Sequence, residues 1–131
     1  MSEKNVEVVR SIYEALNQGD WDAASRPTDA DFEITFQRGP NAGIHRGRDT
    51  IRAIIEDQRE AFDASIIEVK EVFDSGDQVV ALIKSRLRPK GSDAEFEIRN
   101  GHIWTVRDGV ALPLRGFPNP EEALEAAGLS E

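Results

Sequence analysis

The chain has 131 residues, a size suited to one domain spanning 1–131 that buries a core without staples. A formal net charge of -9 argues against nucleic acid or an anionic membrane as partner, because both demand a basic footprint, and leaves a small molecule or another protein. The absence of cysteine removes disulfides, thiolate nucleophiles and thiolate metal sites.

The opening residues, MSEKNVEVV, lack the basic and apolar regions of a signal peptide. The longest unbroken apolar run, VVALI at 79–83, is far too short to span a bilayer, so the expectation is a soluble, cytoplasmic protein. Val6, Val9, Tyr13 and Leu16 recur at steps of three and four and form one stripe of an amphipathic helix over about 4–18, with Gly19 as its stop. Trp21 to Ser25 reads as a short second helix that Pro27 keeps from running on. Phe32, Ile34 and Phe36 then alternate with Glu33, Thr35 and Gln37, the pattern of a half-buried strand.

RGPNAGIHRG, 38–47, is rich in Gly, Pro and Asn and reads as a loop. Asp49 is the cap or first-turn acid of a helix carrying Ile51, Ile54, Ile55, Gln58 and Phe62 on one side. Past Ala64 the period changes to two: IIEVKEVF, a turn at Ser75-Gly76-Asp77, QVVALIKSRL, a turn at Pro89 to Ser92, EFEIRNGHIWTV, a hairpin at Asp108-Gly109, and VALPLRGF. PNPEEALEAAGL starts with prolines, has acids in its first turn and reaches Gly128, which predicts a short terminal helix. Both alternating sets of QVVALIKSRL are largely apolar, so the sheet needs cover on both faces. Helices can cover one; for the other, a second copy of the chain is the economical candidate, giving a homodimer through the outer sheet face.

This order of elements, with VVRSIYEALNQGDW near the start, GIHRG at 43–47 and WTVRDG before the last strand, resembles the SnoaL-like branch of the nuclear transport factor 2-like superfamily. The resemblance implies an α+β, cone-shaped cystatin-like fold, in which a curved antiparallel sheet wraps around helices and encloses an apolar pocket. It does not fix the activity, because one cone serves isomerases, cyclases, hydrolases and proteins that do no chemistry. The functional tyrosine and two aspartates of the ketosteroid isomerases would fall at Ile12, Phe36 and His102, and none is retained. The polyketide cyclases of this branch place a histidine at His102 and an acid on the last strand. Here the histidine is kept, but Gly116 stands where the acid should be. The Asp-Arg-Asp pattern of the related epoxide hydrolases is not apparent, the matching stretch offering Asn100 and His102.

On this resemblance one sheet face turns Ile98, Asn100, His102 and Trp104 inward beside Phe32, Ile34, Phe36, Val80, Leu82, Leu112 and Leu114, with Tyr13 and Trp21 at its helical edge. A mostly apolar lining with a few polar groups is the usual composition of a small-molecule site. Desolvation there disfavours imidazolium, leaving a neutral His102 that can donate on one nitrogen and accept on the other. Two readings are open. One is an enzyme performing isomerase- or cyclase-like proton transfer on a small apolar carbonyl compound, with His102 as base or donor and Asn100 orienting the substrate. The alternative is a non-catalytic ligand-binding or assembly module, with His102 a core residue packed against Trp104. Arg38, His45, Arg46 and Arg48 suggest an anion-steering mouth or ordinary loop charge. No metal or cofactor is implied: there are two histidines, no cysteine, no helix with ligands at i and i+4, and no phosphate-binding glycine loop.

Overall fold

In a computed structural model, residues 2–37 and 42–129 are described, without the side chains of Ser2 and Leu112. The order is α1 (Ser2–Asn17), α2 (Trp21–Ser25), β1 (Glu33–Phe36), β2 (Gly43–Arg46), α3 (Arg48–Glu60), β3 (Phe62–Ser75), β4 (Gln78–Pro89), β5 (Phe96–Arg107), β6 (Val110–Phe117) and α4 (Pro120–Ala126).

The helices follow their stripes and caps. Along α1, Val9, Ile12, Tyr13 and Ala15 are buried, and the helix stops where the Gly19 amide donates to the Leu16 carbonyl. Asp20 caps α2 by accepting from the Ala23 amide at 3.1 Å. Asp49 sits inside the first turn of α3, and Gly47 at its N-cap supplies no side-chain hydrogen bond. Only the near part of the α3 stripe is inward: Ile51 is buried, Ile54 and Ile55 are half-buried, and Gln58 is exposed. Phe62 belongs to β3, not to the helix.

The six strands form one curved, unclosed sheet in the order β2-β1-β6-β5-β4-β3. Strands β3 to β6 run antiparallel, joined at the β5–β6 hairpin by Asp108 and Gly109, both at positive φ (53° and 78°), as a two-residue turn of matching twist requires. β1 adds parallel to β6, pairing Ile34 with Leu114. The stretch expected to be loop contains β2, which pairs antiparallel with β1 at the sheet edge. Register shifts at Phe62/Ala64, Val69/Glu71 and Trp104/Val106 mark bulges, the usual means of bending strands into a concave sheet.

Two apolar clusters lie on opposite sides of β4 and β5. On the concave side, α1, α2 and α3 pack Val9, Ile12, Tyr13, Ala24 and Ile51 against Val79, Ala81, Ile83, Trp104 and Leu114. On the convex side Val80, Leu82, Ile103 and Phe117 pack under Ala123 of α4, with Leu124 and Ala127 at the margin. This corrects the expected orientation of Val80 and Leu82. Trp104 pairs with Val79, so the odd-numbered residues of β4 share its face and the even-numbered ones point away. It also removes the stated reason for a second copy, since the chain's own terminal helix covers the second apolar set. Gly101 allows that docking, because a Cβ there would lie 2.3 Å from the Ala123 Cβ.

Candidate functional site

Alternate residues of β5 run along the concave face from a filled end to an open one. Trp104 lies between Val79 and Leu114, His102 between Ala81 and Gly116; Asn100 is opposite Ile83, Ile98 opposite Ser85, and Phe96 opposite Leu87. Trp104 is 3% exposed, His102 and Asn100 are half-buried, and Ile98 and Phe96 are 40% and 42% exposed. His102 therefore stands where the core ends and an open apolar surface begins.

Helix α1 supplies its partner. The Tyr13 hydroxyl lies 2.6 Å from His102 Nδ1 and accepts a hydrogen bond from Trp104 Nε1 at 2.9 Å. The Tyr13 and His102 rings are nearly parallel (15°, centroids 5.8 Å apart), whereas Trp104 meets Tyr13 edge-on and Phe32 face-on. His102 Nε2 makes no hydrogen bond among the described residues, and no buried side-chain nitrogen or oxygen there lacks a partner, so Nε2 reaches accessible surface. The Asn100 amide makes no side-chain hydrogen bond among the described residues either. Loss of water around the ring pushes the His102 pKa down to about 4, so the imidazole is neutral at pH 7. Burial raises the Tyr13 pKa well above the ordinary value, and the hydrogen bond from Trp104 offsets that only in part.

Phe36 closes one flank. A Cβ at Gly116 would lie 2.9 Å from Phe36 Cδ1 and 3.8 Å from His102 Cδ2, so the ring occupies the space a side chain at 116 would need.

The structure thus gathers Tyr13, Phe32, Ile34, Phe36, His102, Trp104 and Leu114 on the concave side and places Asn100 and Ile98 along its open continuation. It puts Leu82 on the convex side, and the Leu112 side chain lies outside the described residues. Trp21 packs at the margin of the same core but lines a different hollow of about 260 Å³, with Leu16, Gly19, Arg52, Ile55 and Arg59, between the α1–α2 junction and α3. Sequence reasoning missed Ala81, Ile83 and Phe96. Their signal was the pairing of β4 with β5, which alternation within β4 alone cannot supply.

The basic loop is tied into structure. Arg46 donates from Nε and Nη2 to a single oxygen, Glu33 Oε2, at 2.9 and 2.6 Å, and Arg48 donates to both the hydroxyl and the carbonyl of Thr28. His45 packs against Phe36 at 5.9 Å, and Arg38 lies outside the described residues. Among the described residues no group of three His, Cys, Asp or Glu is placed to hold a metal ion, and no helix is long and apolar enough to cross a membrane.

A curved, unclosed sheet wrapped on helices in this order is the nuclear transport factor 2-like α+β architecture. TerC, solved with polyporic acid, is similar at a TM-score of 0.79 with 18% identity, over 96% of this chain and 97% of that one. An NTF2-like protein of unknown function from Burkholderia pseudomallei K96243 gives 0.78 with 21% identity, over 95% and 97%. A protein with a ketosteroid isomerase-like fold from Catenulispora acidiphila DSM 44928, solved with trimethylamine, gives 0.75 with 15% identity, over 94% and 93%. The SnoaL-like domain family matches residues 9–111, and the chain belongs to that family. Among curated proteins, none matches its sequence.

Proposed function

We propose that the protein binds a small, largely apolar carbonyl compound on the concave face, its oxygen at His102 Nε2 and its body between Phe36 and the start of the open strip towards Ile98, with Asn100 as a second polar contact. The observation that carries this reading is the unpartnered, accessible Nε2 at the border between the aromatic core and the open apolar strip. A neutral N–H in a poorly hydrated site gains more from a carbonyl oxygen than it would in water.

Holding or polarising the carbonyl fits these groups better than taking a proton from it. A base whose pKa has fallen to about 4 accepts a proton poorly at pH 7. Phe36 fills the space in which the cyclases' acid would have to stand at Gly116. Isomerase- or cyclase-like turnover is the stronger form of the same proposal and has its own readout.

Titration of the labelled protein with 2-cyclohexenone, with cyclohexene as the hydrocarbon control, tests the binding reading. The enone is expected to shift resonances of His102 and Asn100, and the alkene to leave His102 Nε2 unmoved. Equal responses, or none at His102, refute it. Deuterium uptake at the enone's α′- or γ-carbon faster than in buffer, and lost in His102→Ala, would establish turnover; uptake at the buffer rate restricts the role to binding.

A homodimer through the outer face is the lesser proposal. Beyond α4 that face carries ion pairs, Arg86 with Glu68 at 2.9 Å and Lys84 with Glu97 at 3.6 Å, beside an exposed Ile66. Sedimentation as a monomer at high concentration rejects it.

A further inference from the structure

We propose that Tyr13 is a positioning residue that fixes the His102 proton on Nε2, so that the site offers a hydrogen-bond donor and selects ligands bearing an acceptor oxygen. The selectivity rests on the concave face being a ligand site; the proton's location does not.

The argument is one of donors and acceptors. An indole N–H can only donate, so the 2.9 Å contact makes the Tyr13 oxygen the acceptor from Trp104. The phenolic proton must then find an acceptor of its own, and Tyr13 is 2% exposed, away from water. His102 Nδ1, at 2.6 Å, is the acceptor in reach. An imidazole nitrogen accepts only when it carries no proton, which leaves the ring's proton on Nε2. In the opposite tautomer two N–H groups would converge on one phenolic oxygen and the phenolic proton would be buried without a partner.

Trp104 therefore orients Tyr13, and Tyr13 orients His102, each step moving a donor outward along β5 until it emerges at the open strip. Among the described residues no charged side chain is hydrogen-bonded to the ring, whose neighbours are Tyr13 from α1, Ala81 from β4 and Gly116 from β6. A ligand that itself needs an acceptor at this position, such as an alkylammonium ion, is disfavoured, whereas a ketone or enolate oxygen is matched.

The test uses ligand-free protein at pH 7, with the imidazole nitrogens labelled with nitrogen-15 and His45→Asn to separate the two histidines. Long-range proton–nitrogen correlation spectra are expected to show the Nε2–H form of His102 in about tenfold excess or more, the ratio that one lost buried hydrogen bond imposes. In Tyr13→Phe the two tautomers should approach comparable populations. Trp104→Phe removes the second donor from the phenolic oxygen while the phenolic proton still needs Nδ1, so it should lower the excess only in part; where Tyr13→Phe does not fold, an unchanged excess in Trp104→Phe overturns the proposal. A merely structural Tyr13 would lower the melting temperature without moving this signature. An Nδ1–H form in the natural protein, or an unchanged Nε2–H preference in a folded variant lacking the tyrosine hydroxyl, overturns the proposal.

Discussion

The two faces of β5 put the same strand to opposite uses. On the convex face, Gly101 and Ile103 meet Val80, Leu82, Phe117 and the alanine surface of α4, with no polar side chain in the cluster. On the concave face, one residue further along from each, His102 and Trp104 share hydrogen bonds with Tyr13, and the chain of partners ends on an accessible nitrogen. An all-apolar contact can be closed by shape alone, whereas a polar network in the same sheet must be satisfied atom by atom. Nε2, without a partner among the described residues, is informative because Nδ1 of the same ring, the Tyr13 hydroxyl and the Trp104 indole are all paired.

The sharpest way to break the comparison is to spoil the convex side only. Gly101→Val places its first carbon 2.3 Å from the Ala123 Cβ, and backbone and neighbouring strand both limit relief. The expected loss is about 3–4 kcal/mol, at the upper end of overpacking costs, measured by urea unfolding. Ala123→Gly should recover part of it. The His102 nitrogen signals should be unaltered in the folded variant; if they move, the two faces are not independent.

On the concave face acid acts through His102. The native imidazole resists protonation down to about pH 4, whereas the unfolded chain protonates it near 6.5, so between those values the unfolded state binds more protons. Stability from this group is therefore complete above 6.5 and falls as pH drops through 4. The expected loss is about 2 kcal/mol, somewhat less than the full conversion because the ring keeps an accessible edge. Comparing urea unfolding of the natural protein and His102→Gln at pH 7 and pH 4.5 isolates it from the surface carboxylates. Parallel curves for the two proteins would show that the ring is not desolvated in the native state.

Much of this contrast was legible in the sequence, and the parts that were not have physical causes. Helical stripes and hairpin turns are local signals, and α1, α2, α4 and the β5–β6 turn follow from them. The demand that the Tyr13 hydroxyl find a partner also follows from burying it in a helix stripe. The facing of β4 does not, because Val79 to Ile83 is apolar on both sides and only pairing to Trp104 chooses between them. β2 was hidden because four residues at an edge, after a glycine-rich stretch, show no period to count. The cover of the convex face was readable in retrospect from an interior strand glycine and an alanine-rich last helix, the combination for close approach.

Removing the Tyr13 hydroxyl should cost about 1–2 kcal/mol, since it strands Trp104 Nε1 and His102 Nδ1 in a buried place. Trp104→Phe, which removes a donor together with its need for a partner, should lose less from the hydrogen bond itself. A double-mutant cycle on Tyr13 and Trp104 is therefore expected to be strongly non-additive. Additivity would mean that the two groups contribute separately and that no chain of partners exists.

The smallest effect probes the boundary between the filled and open parts of the concave face. Gly116→Ala brings a methyl to 2.9 Å from Phe36 Cδ1, but Phe36 is only half-buried on a four-residue strand and can turn aside, so the expected loss is about 1 kcal/mol. Phe36→Leu should absorb that methyl, making the double variant more stable than the sum of the single changes predicts. If Gly116→Ala costs nothing alone, there is already room beside His102 for a larger group, and Gly116→Asp becomes the variant that asks whether an acid can be seated next to the imidazole. If the cost is present and Phe36→Leu relieves it, the aromatic ring is what keeps an acid out. The His102 imidazole is then the polar group that, among the described residues, this flank offers a ligand.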